Sequence, residues 1–231
     1  MAARITVLRA AFVAFSLASA GSAAAQLGAG LTFETDYRFR GVSLGGGRPD
    51  LHLNLAWDGA DGAYAGAAAT SVELERGPRR VQLIGYLGIA RAPSGPAPGW
   101  EVGATAAHFV AAAGYDYAEL YAGLLADGWN ARLSFSPDYF GQGARTLYAE
   151  LNAGRALAPP WRVFAHLGAL GAIGGTAAST RTRHDLRAGL GATHAAWDLQ
   201  LAWVEAGSGD IYPTLYSAKQ RGLVFSVARF F

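Results

Sequence analysis

Four ionisable side chains on alternate positions, Glu34, Asp36, Arg38 and Arg40, concentrate chemistry near the start of this 231-residue chain. Two carboxylates at that spacing could act as an acid–base pair or as oxygen ligands for a cation. Two guanidiniums of the same parity follow directly. They supply the counter-charge a metal would, so internal ion pairing is the simpler chemistry. Of the five histidines, His52, His108, His166, His184 and His194, none lies in a G-x-S-x-G elbow or an H-E-x-x-H metal motif. His52 shares a parity with Asn54, Glu34 and Asp36, and His166 shares one with Arg162. His108 has the parity and height a lipid-cleaving base would need, with Ser134 or Ser136 on a nearby strand, yet Ser134 has the opposite parity. The sequence therefore offers no catalytic residue, no metal site and no cofactor.

These residues are placed by strands. In LTFETDYRFRG, Leu31, Phe33, Thr35, Tyr37 and Phe39 alternate with Thr32, Glu34, Asp36, Arg38 and Arg40, which in a β-strand makes one apolar wall and one charged wall. The same period recurs to the C-terminus, interrupted by Gly, Pro, Asp and Asn turns such as Asp127-Gly128. About twelve strands are expected, with ten or fourteen as alternatives, and no helix. The charges of the strand interiors keep to the polar parity: Glu34, Asp36, Arg38, Arg40, His52, Arg132, Glu150, Arg162, Asp185 and Arg187, with Glu101 and Glu119 beside them. Lipid enforces such a rule, since an Arg or Lys facing the bilayer midplane costs about 2–4 kcal/mol. A soluble sandwich would carry more lysine on its outer face; Lys219 is the only one here.

The tryptophans sharpen this choice. Trp57 closes the second expected strand, while Trp100, Trp129, Trp161 and Trp197 open later ones, all at one rim and on the apolar parity. Trp203 lies six residues further along its strand, toward the other interface. Aromatic girdles at both membrane interfaces have this layout. The fold expected is all-β, a transmembrane antiparallel β-barrel over residues 26–231, closed because lipid tolerates no unpaired sheet edge. Inner-parity glycines such as Gly103, Gly189 and Gly191 suggest free space within the bore.

Residues 1–25 carry Arg4 and Arg9, an apolar run over 10–20 and an Ala23-Ala24-Ala25 ending. That reads as a signal peptide cleaved before Gln26, too short to span a bilayer as a helix. The chain has no cysteine and a formal net charge of +2, with scattered basic residues, which argues against nucleic acid. The expected home is the outer membrane of a Gram-negative bacterium. The expected partners are its lipid, the barrel-assembly machinery through the C-terminal strand ending in Phe231, and a small polar solute.

The run Thr35-Asp36-Tyr37-Arg38-Phe39-Arg40-Gly41-Val42-Ser43, with the Asp58-Gly59 turn and Tyr64-Ala65-Gly66, resembles the proteobacterial family Gcw_chp. The likeness is densest over residues 28–75. This chain departs from the family's pattern in its richness in Ala and Gly, and in having Ala69-Thr70-Ser71-Val72 where a Ser-Asn-Val run is usual. The resemblance implies an outer-membrane barrel with a signal peptide and the motif in its first strand; it transfers no catalytic residues. Function is expected to be a narrow, porin-like channel for small polar solutes. The alternative is a closed structural or envelope-interaction barrel with a charge-paired lumen, and a lipid-acting enzyme ranks third. In either barrel reading the first strand would set Leu31 to Phe39 against lipid.

Overall fold

The structure is a computed structural model and describes residues 26–74, 77–175, 182–207 and 220–231. The expected signal peptide lies outside the described residues. So do most of the connections expected over 171–182 and 207–218.

Twelve strands close into one barrel: β1 (Gln26–Glu34), β4 (Asp50–Asp58), β5 (Ala63–Glu73), β6 (Arg79–Arg91), β7 (Gly99–Phe109), β8 (Tyr117–Ala126), β9 (Trp129–Ser136), β10 (Ala144–Ala156), β11 (Trp161–Gly175), β12 (Arg183–His194), β13 (Trp197–Ala206) and β14 (Gln220–Phe230). Each pairs antiparallel with its sequence neighbour in the ring, and β1 meets β14 to complete it. Two further short strands, β2 (Arg38–Phe39) and β3 (Val42–Ser43), pair only with each other. No helix among the described residues is long and apolar enough to cross a membrane.

Alternation sorts the side chains. Leu53, Leu55, Leu87, Leu120, Leu167 and Leu223 stand exposed on the outside, and their strand neighbours turn inward. A continuous apolar exterior on a closed ring is what the hydrocarbon layer requires. The connections differ between the two sides. On the side of the two ends four are short, 59–62, Asp127-Gly128, 157–160 and Ala195-Ala196, and one, 92–98, is as long as 110–116 opposite. On the opposite side lie 35–49, 110–116 and 137–143. Short turns mark the periplasmic face of bacterial barrels, so the second set is outer.

The motif strand is where the fold departs from expectation. β1 ends at Glu34, because its nine residues from Gln26 already suffice to cross an outer membrane. The chain then leaves the wall and folds into the lumen as a strap, residues 35–49, with β2 and β3 as its hairpin. Tyr37 and Phe39 do not face lipid: they are 3% and 2% exposed within the barrel. Arg40 and Gly41 both take positive φ (48° and 75°) at the hairpin tip. A Cβ on Gly41 would stand 2.7 Å from Asp185 Cβ and 2.8 Å from Ala206 Cβ, so only glycine fits there.

Candidate functional site

The strap leaves the wall beside β14, where Thr35 N–H donates to Phe225 O (3.0 Å), rests its tip Gly41 against Asp185 and Ala206 of the nearby strands β12 and β13, and reaches the opposite wall where Arg40 meets Glu119 of β8. It thus spans the outer half of the bore. Its apolar side chains Tyr37, Phe39, Val42 and Leu44 pack against Val72, Ile84, Phe109, Tyr117, Tyr148 and Leu170 of the wall. A second outer connection also turns inward: Tyr139 and Phe140, in a turn of 3₁₀ helix, are fully buried. Phe140 stacks on Tyr117 (centroids 4.7 Å) and meets Phe39 edge-on (6.1 Å). Burying each large apolar side chain contributes about 1.5–3 kcal/mol, so this aromatic core holds the strap inside.

Ion pairs fix the strap's direction. Arg40 donates to both carboxylate oxygens of Glu119 (2.9 and 2.7 Å) and to Tyr139 OH (3.0 Å), with its guanidinium 3.9 Å above the Tyr148 ring. Asp36 accepts from Arg38 Nε (2.7 Å) and from the Ser43 hydroxyl (2.5 Å), which clamps the hairpin on itself. Burial raises the Asp36 carboxyl above the ordinary 3.8, with Ser43 and Arg38 opposing. Ser43 N–H donates to Gln220 Oε1 (2.7 Å), and Arg48 pairs with Glu73 at the outer rim.

The inner half is polar. Arg132 donates to Glu101 Oε1 (2.7 Å) and lies 4.3 Å over Tyr121; Tyr64 OH joins Glu101 Oε2 (3.0 Å) and Tyr121 OH (2.7 Å). Arg162 pairs with Asp198 (2.7 Å) and donates to Thr193 Oγ1 (2.7 Å). At mid-height His166 bridges Asn152 Oδ1 (2.6 Å) and Asp185 Oδ1 (2.7 Å). Arg187 is held loosely, 3.3 Å from Gln200 Oε1 and 3.9 Å from Glu34, and its side chain keeps 27% exposure. Glu150 faces the same interior, in the fields of Arg132, His166 and Arg40.

A third group runs across four neighbouring strands. Thr32, His52, Thr70 and Gln82 are in register on β1, β4, β5 and β6, forming one inward row beneath the strap. All four are buried, and Thr32 Oγ1, His52 Nε2, Thr70 Oγ1 and Gln82 Nε2 have no hydrogen-bond partner, as does Asn54 Nδ2 one step along β4. His52 Nε2 stands 3.5 Å from Glu34, too far for a good hydrogen bond. Tyr37 covers the row, its ring 4.7 Å from that of His52 and its hydroxyl donating to Gln82 Oε1 (3.3 Å). A buried polar atom left unpaired costs about 1–3 kcal/mol.

Of the residues expected from sequence, Glu34, His52, Arg132, Glu150, Arg162, Asp185 and Arg187 project inward from the wall. Asp36, Arg38 and Arg40 belong to the strap instead. The structure adds the partners Asp198, Tyr139 and Tyr148 and the row on β1, β4, β5 and β6, and it gives Glu101 and Glu119, already on the polar parity, their arginine partners. Cross-strand register identifies these, and no single strand displays it. Trp57, Trp100, Trp129, Trp161, Trp197 and Trp203 are all exposed on the outside, the first five at the periplasmic rim. The inner glycines are not empty space: Tyr121 lies over Gly103, Phe164 over Gly189 and Arg162 over Gly191. His108 sits at the exposed outer rim with Asp116 (2.6 Å), whereas Ser134 and Ser136 are buried on the lumen side. Among the described residues no group of three or more His, Asp and Glu is placed to hold a metal ion.

Residues 18–231 match the model of the family described as "bacterial protein of unknown function (Gcw_chp)", and the chain belongs to that family. No curated protein matches it. Among solved structures it is similar to a protein from work on in-meso crystallization of membrane proteins (TM-score 0.52, 10% identity, 89% of this chain and 83% of that one). It is also similar to LpxR from Salmonella typhimurium (0.50, 8%, 88% and 100%) and to the Acinetobacter baumannii outer membrane protein Omp33 (0.49, 8%, 89% and 98%). At these identities the likeness concerns the fold. The closed twelve-strand ring with its apolar exterior is an outer-membrane β-barrel.

Proposed function

We propose that this barrel is a passage for small polar solutes whose outer half is closed by the strap and opens each time the strap swings out of the bore in thermal fluctuation. What carries the reading is the position of the strap: it crosses the bore from the β1–β14 wall to Glu119 on β8, above an inner half lined by partly accessible arginines. Displacing one connection, with no change in the ring, would join the two sides. The same reading gives the exposed tryptophans to lipid headgroups and the strand ending at Phe231 to the assembly machinery.

The absence of cysteine makes the test direct. Ser43 N–H bonds the Gln220 side chain, so the thiols of the S43C/Q220C pair lie within reach of a short, reducible bifunctional thiol cross-linker that tethers the strap to β14. Proteoliposomes holding the wild type are expected to swell in small sugars, and the cross-linked double variant to stop swelling until reduced. Flux that ignores the tether overturns the strap as gate. A wild type that passes nothing overturns the channel. A second reading, a permanently closed envelope barrel, is favoured by the soluble-protein-like core around Phe39 and Phe140; that last outcome would support it.

A further inference from the structure

Beneath Tyr37 the wall holds five polar atoms that nothing in the closed barrel satisfies: Thr32 Oγ1, His52 Nε2, Asn54 Nδ2, Thr70 Oγ1 and Gln82 Nε2. From these we infer a binding row for an uncharged, hydroxyl-rich solute of sugar or polyol type, occupied at rest by the protein's own Tyr37. The inference rests on the channel reading above and names the solute class of that passage.

Three observations carry it. The first is geometric: Thr32, His52, Thr70 and Gln82 are direct cross-strand partners, so they form a ladder of donors and acceptors at the strand spacing of about 4.8 Å. A solute with several hydroxyls can engage successive rungs, whereas a compact ion engages one. The second is charge. Two carboxylates near the row are matched, Asp50 with Arg79 (2.5 Å) and Asp36 with Arg38 (2.7 Å), while Glu34 has only the looser approaches of His52 (3.5 Å) and Arg187 (3.9 Å). An anion entering here finds no free positive charge, and a cation finds only Glu34 at one end of the row, each at the cost of its hydration. A neutral hydroxyl finds both hydroxyl and amide partners. The third is Tyr37, which offers the row a hydroxyl on Gln82 Oε1, as such a solute would, and sets its ring, tilted by 59°, beside that of His52. It satisfies one amide oxygen and leaves the other groups unmet, so a better-matched occupant displaces it.

Proteoliposomes of the full barrel separate this from simple sieving, with glucose compared against gluconate and glucosamine, which add a charge at similar size. Wild type is expected to pass glucose fastest, with saturation. Thr70→Val, which keeps the shape and removes an unpartnered hydroxyl, and Gln82→Leu are each expected to lower glucose flux about three- to tenfold, the scale of one lost hydrogen bond. Potassium chloride conductance should stay within about twofold. Thr70→Val should also leave the heat-unfolding midpoint unchanged or raised. Glucose flux that neither substitution alters, or a wild-type preference for a charged sugar, overturns the row and leaves the channel standing. Flux loss that tracks a fall in heat stability overturns the row as well. A wild type impermeable to all three solutes overturns channel and row together.

Discussion

The outer and inner halves of this lumen share the same twelve strands and are filled by opposite means. Above, the strap and the 137–143 connection bring Phe39, Leu44, Tyr139 and Phe140 into an aromatic core from which water is excluded. Below, the walls fill themselves: tyrosines and arginines lie flat over the glycines of adjacent strands and pair with carboxylates, with Arg132, Arg162 and Arg187 still partly accessible. The same ion-pair chemistry therefore has different weight at the two levels. In the outer half a broken pair leaves a charge with no water to turn to; in the inner half water can replace the lost partner.

The sharpest way to break this contrast is to cut one pair at each level. Arg40→Ala strands Glu119 in the outer core and should lower stability by about 3–5 kcal/mol, whereas Arg162→Ala should cost clearly less, because solvent reaches Asp198 once the guanidinium is gone. Equal shifts in urea unfolding of the two variants would mean that the outer half is as wet as the inner. Gly41→Val tests the strap's fit. A side chain at φ 75° costs about 1–2 kcal/mol before any clash with Asp185 and Ala206, so protease cleavage within 35–49 of the intact barrel should rise about tenfold. Unchanged resistance would separate the tip from the seating of the strap.

The smallest effect is on acidity. Burial raises the Asp36 carboxyl in the closed strap, and release into water returns it to its ordinary range, so closing takes up a proton at pH between the two. The cost of burying ionised Asp36 is present in full at neutral pH. It fades as pH falls through the raised value and is gone below the ordinary one. Strap cleavage should therefore slow modestly from pH 7 toward 4, and Asp36→Asn should abolish the trend.

Much of the barrel can be read in the sequence because lipid outside and polar lumen inside impose alternation on every strand. Trp100, Trp129, Trp161 and Trp197 mark strand starts within a residue. The strap escapes that reading because Tyr37 and Phe39 continue the parity of Leu31 and Phe33, and an apolar side chain suits a lipid face and a buried plug equally well. Length carried the missing signal: a strand starting at Gln26 has crossed by Glu34, so residues up to Gly41 are surplus to one span. The inner glycines misled for another reason. Whether Gly103 faces space or Tyr121 depends on the register of β7 and β8, a property of two strands at once.

The ring is fastened where its first strand meets its last, and only five residues of β1, Gly30 to Glu34, pair with β14 there, against nine with β4. Thr35 extends that short joint, exchanging two hydrogen bonds with Phe225 just where the chain departs into the bore. Clasp and stopper are thus one piece of chain. A pull that lifts the stopper bears first on the clasp, so mechanical failure of the ring would begin at this joint.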